Sequence, residues 1–236
     1  MTPQEYTPEM LTREQVEELV RAFVLKVFGW MAGGLLLTAV VSMMTVNSET
    51  LLSLILSNQW VFIGLIIAQL GLVVLLSARI QALSAMTATM IFCGYSALTG
   101  VTLSVVFLVY TSASIATTFL VTAGTFGVTA AYGYVTKRDL TALGGFMTMG
   151  LIGLVLASLV NLFFQNEIVY WLITYVGVFI FVGLTAYDMQ KIKGMSGAAI
   201  ESGEAEQKAA IIGALRLYLD FINLFLLLLR ILGRKR

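Results

Sequence analysis

Seven long runs of apolar residues, separated by short polar connections, constrain the fold of this chain more than any other feature. The runs cover about residues 22–46, 60–78, 83–109, 114–136, 142–164, 168–190 and 209–232. Each is close to the roughly 20 residues that an α-helix needs to cross the hydrocarbon core of a bilayer. Helices also satisfy their own backbone hydrogen bonds inside that core. The sequence therefore predicts an all-α integral membrane protein with seven transmembrane helices.

The composition supports a membrane protein and leaves little room for a soluble domain. The 236 residues are 59% hydrophobic and 11% charged, a balance that would coat a soluble globule with hydrocarbon. We expect a polar N-terminal segment over 1–21, a seven-helix membrane domain over 22–232 and a basic tail over 233–236. The first segment does not resemble a cleavable signal, so we expect membrane entry through retained helices. The only sizeable polar connection is 194–208. Its acidic run from Glu201 to Glu206 is interpreted as a solvated charge run, with weak cation binding as the alternative.

Missing residue types disfavour several classes of function. The formal net charge is +1 and there is no histidine, so the chain lacks both a basic field for nucleic acid and the commonest general base. The single cysteine, Cys93, is interpreted as a packing residue because one thiol cannot form an internal disulfide. No pattern indicates a cofactor, and we expect no enzymatic activity.

The distribution of lysine and arginine predicts the orientation in the membrane. If seven helices alternate, the connections at 47–59, 110–113 and 165–167 lie on one side and contain no Lys or Arg. The positive-inside rule then places the N-terminus in the cytoplasm. A C-terminal cluster opposes the rule and comprises Arg230, Arg234, Lys235 and Arg236. A last segment that turns back would return this cluster inside, but we expect seven full spans because the last run is long and uninterrupted.

Two aspartates lie inside apolar runs and are the candidate functional residues. Asp188 lies near the cytoplasmic end of the sixth run, and Asp220 lies well inside the seventh. Even lenient insertion scales assign about 2.5 to 3.5 kcal/mol to an ionisable side chain at mid-membrane. At about 1.5 Å per residue, Asp220 is roughly 16 Å along its helix from Ala209, near the bilayer centre.

A polar stripe on the seventh helix includes Asp220. Arg216, Asp220, Asn223 and Arg230 recur at helical spacing, which puts them on one face that should contact protein or water. In the simpler interpretation, Arg216 pairs with Asp220 and Asp188 is solvated at the interface. In the interpretation that we favour, Asp188 and Asp220 share a cavity as an interacting pair, and so form a proton sensor or a cation site. Carboxylate oxygens suit hard cations such as calcium.

Four strings of residues carry a resemblance to one known protein family. They are Val27-Phe28-Gly29-Trp30-Met31, Tyr95-Ser96-Ala97-Leu98-Thr99-Gly100, Gly183-Leu184-Thr185-Ala186-Tyr187-Asp188 and, most specifically, Leu217-Tyr218-Leu219-Asp220-Phe221-Ile222-Asn223-Leu224-Phe225. They resemble the bacterial Bax inhibitor-1-like family, also called the transmembrane Bax inhibitor motif family. The similarity covers nearly the whole membrane portion.

The resemblance implies a fold in which six helices surround a central seventh, in the bacterial inner membrane. It also implies a calcium leak governed by pH through a pair of aspartates. Carried over by motif, the pair is Asp188 and Asp220, which also form a weak calcium site, and Arg79 is a gating latch. Gln69 stands near a position where some members have a glutamate, and Arg216 lies beside Asp220, so cation affinity could be weaker here.

We therefore expect a pH-sensitive calcium leak channel in the bilayer, in which ionised Asp188 pairs with Arg79 and protonation changes that pairing. The alternative is a non-conducting regulator that binds another membrane protein, such as a membrane protease. An intramembrane aspartyl protease is a weaker alternative. In such enzymes the second aspartate follows Gly-x-Gly, whereas here it follows Leu217-Tyr218-Leu219.

Overall fold

The computed structural model describes residues 12–197 and 203–236. Its helices, in chain order, are α1 (Arg13–Val46), α2 (Glu49–Ser57), α3 (Gln59–Arg79), α4 (Ala85–Leu103), α5 (Val106–Val109), α6 (Ser112–Val135), α7 (Thr141–Phe164), α8 (Glu167–Gly194) and α9 (Glu204–Leu232). Among these described residues, seven helical segments are long and apolar enough to cross a membrane, and one of them joins α4 and α5. The predicted fold class, an all-α membrane protein with seven spans, is confirmed.

Polar residues extend the first and last helices beyond the apolar runs. Thr12 and Gln15 form a capping box at the start of α1, in which each side chain accepts a hydrogen bond from the backbone N–H of the other. Residues 13–21 therefore form the first turns of α1, while residues 1–11 of the predicted N-terminal segment lie outside the described residues. Similarly, α9 begins at Glu204, within the polar connection.

The described residues form two compact units. Unit 1 holds the described residues up to Ser104 together with Ile192–Leu215, and unit 2 holds Val105–Lys191 together with Arg216–Arg236. The first part of α9 therefore belongs to unit 1, and the remainder belongs to unit 2. Both candidate aspartates lie in unit 2.

In unit 1, small and hydroxyl residues bring α1 and α4 into close contact. The Thr38 hydroxyl donates to the Ser96 carbonyl at 2.8 Å, and the Ser42 hydroxyl donates to the Gly100 carbonyl at 2.7 Å. All four residues are buried. Hydroxyl groups that bond a neighbouring backbone in this way are a common means of joining helices in a bilayer, where water drives no hydrophobic association.

Charged residues bind the start of α9 to the rest of unit 1. Glu204 accepts a hydrogen bond from the Ala85 N–H at 2.9 Å, and Glu206 pairs with Lys26 at 3.1 Å. The Lys208 ammonium group donates to two carbonyl oxygens between α3 and α4 at 3.3 and 2.8 Å. The interpretation of the acidic run 201–206 as merely solvated is therefore wrong for Glu204 and Glu206. The remaining acid of the run lies outside the described residues.

In unit 2, the C-terminal tail lies beside the connection between α5 and α6. The Thr111 N–H donates to the Arg234 carbonyl at 3.0 Å, and the Arg236 N–H donates to the Val109 carbonyl at 2.9 Å. α9 is continuous from Glu204 to Leu232 and does not turn back. The basic tail therefore lies at the same end of unit 2 as the connection 110–113, which lacks Lys and Arg. Seven full spans place the C-terminus on the same side of the membrane as this connection.

The helices differ widely in how much of their surface is buried. In α9, 67% of the most apolar stretch is buried, compared with 0% in α7. Most of that stretch of α9 therefore contacts protein, whereas α7 leaves most of its side chains exposed or half-buried at the surface. A central position of α9 within a ring of six helices stays a prediction.

Candidate functional site

Two glycines of unit 2 place the part of α8 that carries Asp188. A Cβ atom at Gly133 of α6 would collide with the backbone of Ala186, and one at Gly144 of α7 would collide with the ring of Tyr187. Because neither glycine has a side chain, α6 and α7 approach α8 closely at the two residues before Asp188. The sequence analysis did not identify these glycines as part of the site, although small residues at helix contacts are a known signal.

Asp188 forms an ion pair with Arg216 across the contact between α8 and α9. The distance between Arg216 Nη1 and Asp188 Oδ1 is 3.3 Å. The side chain of Asp188 is 12% exposed and that of Arg216 is 37% exposed. Lys191, one turn further along α8, also interacts electrostatically with Asp188. The simpler interpretation of Asp188 as an interface residue solvated by water is therefore wrong, since it is buried and paired.

Asp220 lies one helical turn from Arg216 and is more deeply buried than Asp188. The residue is 4% exposed, and its Oδ2 atom is buried without a hydrogen-bond partner among the described residues. Asp220 interacts electrostatically with both Asp188 and Arg216. The site is thus a cluster of two carboxylates and one guanidinium group, in which Arg216 forms its ion pair across to α8 rather than along its own helix. We call these three residues the carboxylate cluster.

The other predicted site residues lie outside this cluster. Asn223 donates to the Leu219 carbonyl of its own helix at 2.8 Å, which uses one of its two amide N–H groups locally. Arg79 is exposed at the end of α3, in unit 1. Its pairing with Asp188 stays a prediction, and the ion-pair partner of Asp188 among the described residues is Arg216.

Gln69 forms a neutral polar contact within unit 1. Its amide accepts a hydrogen bond from the Thr99 hydroxyl at 3.4 Å and donates to Thr102 at 3.3 Å. The amide is therefore held by two hydroxyl groups of α4. It adds no charge to unit 1.

The carboxylate cluster supplies few ligands for a metal ion. Among the described residues, no group of three or more Asp, Glu, Cys or His side chains could hold a metal. Calcium takes six to eight oxygen ligands, whereas Asp188 and Asp220 supply carboxylates from two residues only, with Arg216 beside them. A weak calcium site at these residues stays a prediction.

Comparison with known proteins identifies the family. The family model described as "Inhibitor of apoptosis-promoting Bax1" matches residues 20–236. The chain is 56% identical to inner membrane protein YbhL of Escherichia coli K12 over 219 residues, which cover 92% of this chain and 93% of YbhL. It is 48% identical to an uncharacterized protein of Borreliella burgdorferi, over 96% of this chain and 98% of that one. The resemblance seen in the sequence is confirmed, and the chain belongs to the Bax inhibitor-1 family of membrane proteins.

Proposed function

We propose that this protein is a pH-sensitive calcium leak channel, gated by protonation of the carboxylate cluster. The observation that carries the proposal is the buried Oδ2 atom of Asp220, which lacks a partner while a second carboxylate and one cation lie beside it. Buried polar groups normally have partners, and ionisable groups inside a membrane are costly and mark ion or proton pathways. An unpartnered carboxylate at this depth is available to a proton or a cation.

The cluster offers a physical mechanism for gating. When both carboxylates are ionised, Arg216 is ion-paired with Asp188, whereas Asp220 has no ion pair among the described residues, so a cation is attracted to Asp220. Protonation of Asp220 weakens the attraction for a cation. Protonation of Asp188 weakens its ion pair with Arg216. Because this ion pair joins α8 to α9, a change in it also changes how these two helices pack.

The proposed environment follows from the relatives and the sequence together. YbhL is named an inner membrane protein, and we propose the bacterial inner membrane for this chain as well. The lysine and arginine pattern supports a cytoplasmic N-terminus. The proposal needs no cofactor and no enzymatic step, and its ligands are protons and calcium.

The proposal is tested by calcium flux into liposomes that contain the purified protein and a calcium-sensitive dye, from about pH 5 to 8. We expect flux above that of protein-free liposomes, with a rate that changes with pH. Liposomes that hold an unrelated helical membrane protein control for leakage at the protein–lipid boundary. If the native protein gave no excess flux at any pH, the leak would be rejected in favour of a non-conducting regulator that binds another membrane protein.

A further inference from the structure

A cleft in unit 2 lies beside the connection between α7 and α8 and shares no residue with the carboxylate cluster. Its volume is about 450 Å³. Its lining includes the polar residues Asn161, Gln165, Asn166, Glu167, Tyr170 and Arg230. They come from α7, α8, the connection between these helices and the C-terminal part of α9. The proposed leak uses none of these residues.

The cleft contains one cation and one anion. Arg230 lies over the ring of Tyr170, with its Cζ atom 5.2 Å from the ring centroid, a contact that holds the guanidinium group by cation–π attraction. Among the described residues, neither Arg230 nor Glu167 takes part in an ion pair. The N–H donors of the arginine and the oxygens of the glutamate are therefore both available to a ligand.

Hydrogen bonds hold the connection in one shape. Asn161 Oδ1 accepts from the Asn166 N–H at 2.9 Å, and Asn166 Oδ1 accepts from the Val169 N–H at 3.1 Å. Gln165 adopts a left-handed backbone conformation, with φ of 48°. These bonds define the path of the chain between α7 and α8, along one side of the cleft.

The surroundings of the cleft indicate a membrane interface. Tyr170, Trp171 and Tyr175 form a run of ring contacts on α8, with centroids 5.6 and 5.8 Å apart. Aromatic residues of this kind concentrate where the hydrocarbon core meets water. The neighbouring residues also expose large apolar side chains, which are Leu162, Phe163, Phe164 and Ile168. We call these four apolar residues the rim of the cleft. A ligand in the cleft can therefore place a polar part on Arg230 and Glu167 while an apolar part contacts the rim.

We propose that the cleft binds the headgroup of a phospholipid that carries both a phosphate and a primary ammonium group, as phosphatidylethanolamine does. Arginine binds phosphate oxygens through paired N–H groups, and Glu167 accepts hydrogen bonds from the ammonium group. A purely anionic headgroup would meet the negative charge of Glu167. A choline headgroup has no ammonium N–H to donate, and free phosphate has no apolar part for the rim.

The test is native mass spectrometry of the purified full-length protein in detergent with added phosphatidylethanolamine, phosphatidylcholine, phosphatidylglycerol or inorganic phosphate. The native protein is expected to retain phosphatidylethanolamine most strongly. Arg230→Gln should bind it at least about tenfold more weakly, since a charge-assisted contact to phosphate is lost. Glu167→Gln should lose the preference over phosphatidylglycerol. Arg234→Gln is the matched control, because this arginine lies at the same end of unit 2 but does not line the cleft.

Three results would overturn the proposal. The first is equal binding of phosphatidylethanolamine by the native protein and Arg230→Gln. The second is equal retention of phosphatidylcholine and phosphatidylethanolamine by the native protein, which would remove the role of the ammonium group. The third is displacement of the lipid by millimolar inorganic phosphate, which would make the cleft a site for the free anion. Calcium flux of Arg230→Gln, measured separately, keeps this test distinct from that of the leak.

Discussion

Replacing Asp220 with asparagine is expected to remove most of the pH dependence of calcium flux. Asparagine keeps the volume of the side chain but cannot ionise, so the cluster loses the buried carboxylate that lacks a partner. We expect the native flux to change by about tenfold or more between about pH 5 and 8, the factor that corresponds to roughly 1.4 kcal/mol of charge-dependent free energy. The variant should change by less than about twofold over the same range, in the same liposome assay.

Asp139→Asn is the matched control for this prediction. Asp139 lies between α6 and α7, outside the spans, and hydrogen bonds from Thr141 lower the pKa of its carboxyl group below the usual value. An aspartate titrates near pH 3.9 when unperturbed, so Asp139 is ionised throughout about pH 5 to 8. Any stability that the ionised carboxylate of Asp139 provides is lost only as the pH falls through its lowered pKa, which lies below the pH range of the flux assay. A flux profile altered equally by Asp139→Asn and Asp220→Asn would contradict a specific role of the cluster.

Gly133→Val is expected to destabilise the protein by about 1 to 3 kcal/mol or more, the usual cost of forcing extra atoms into a packed contact. A side chain at this position would meet the backbone of Ala186, which cannot move aside as a flexible side chain would. Because α8 would then shift near Asp188, the pH dependence of flux should also be reduced in any folded fraction. The loss of stability is measured by thermal unfolding in detergent, in which size-exclusion chromatography reports the folded fraction that remains at each temperature.

Gly127→Val on the same helix is the control for this substitution. A Cβ atom at Gly127 has no neighbour within 4 Å, and valine is a slightly better helix former than glycine. Gly127→Val should therefore unfold at or slightly above the temperature of the native protein. Equal loss of stability in both valine variants would mean that the close approach of α6 to α8 is not what Gly133 provides.

The sequence predicted the seven membrane-spanning segments well because length and hydropathy determine membrane spans. It did not predict the short helix α2, which lies within the predicted connection 47–59. It predicted the starts of the spanning helices less well, since helical structure continues past the hydrocarbon core wherever a cap is present. The Thr12-x-x-Gln15 pattern is a capping-box signal, and it could have located the start of α1. No comparable pattern preceded α9, whose first turn is held by contacts with α1 and α4.

The carboxylate cluster was predicted in part. Asp188 and Asp220 stood out because carboxylates are rare in apolar runs. The partner of Arg216 was not predicted, since sequence spacing shows only pairs along one helix. A base that precedes an acid by four residues is also the less favourable order for such a pair. The pairing with Asp188 depends on where α8 lies, and close packing at Gly133 and Gly144 determines that position.

The central claim, that Asp188 and Asp220 act as one proton-sensing unit, is tested most directly by the double variant Asp188→Asn/Asp220→Asn. Calcium flux of this variant is measured beside both single variants and the native protein from about pH 5 to 8. If the two carboxylates act together, each single variant already loses the pH dependence, and the double variant adds little to that loss. Independent and additive contributions of the two substitutions would contradict the claim.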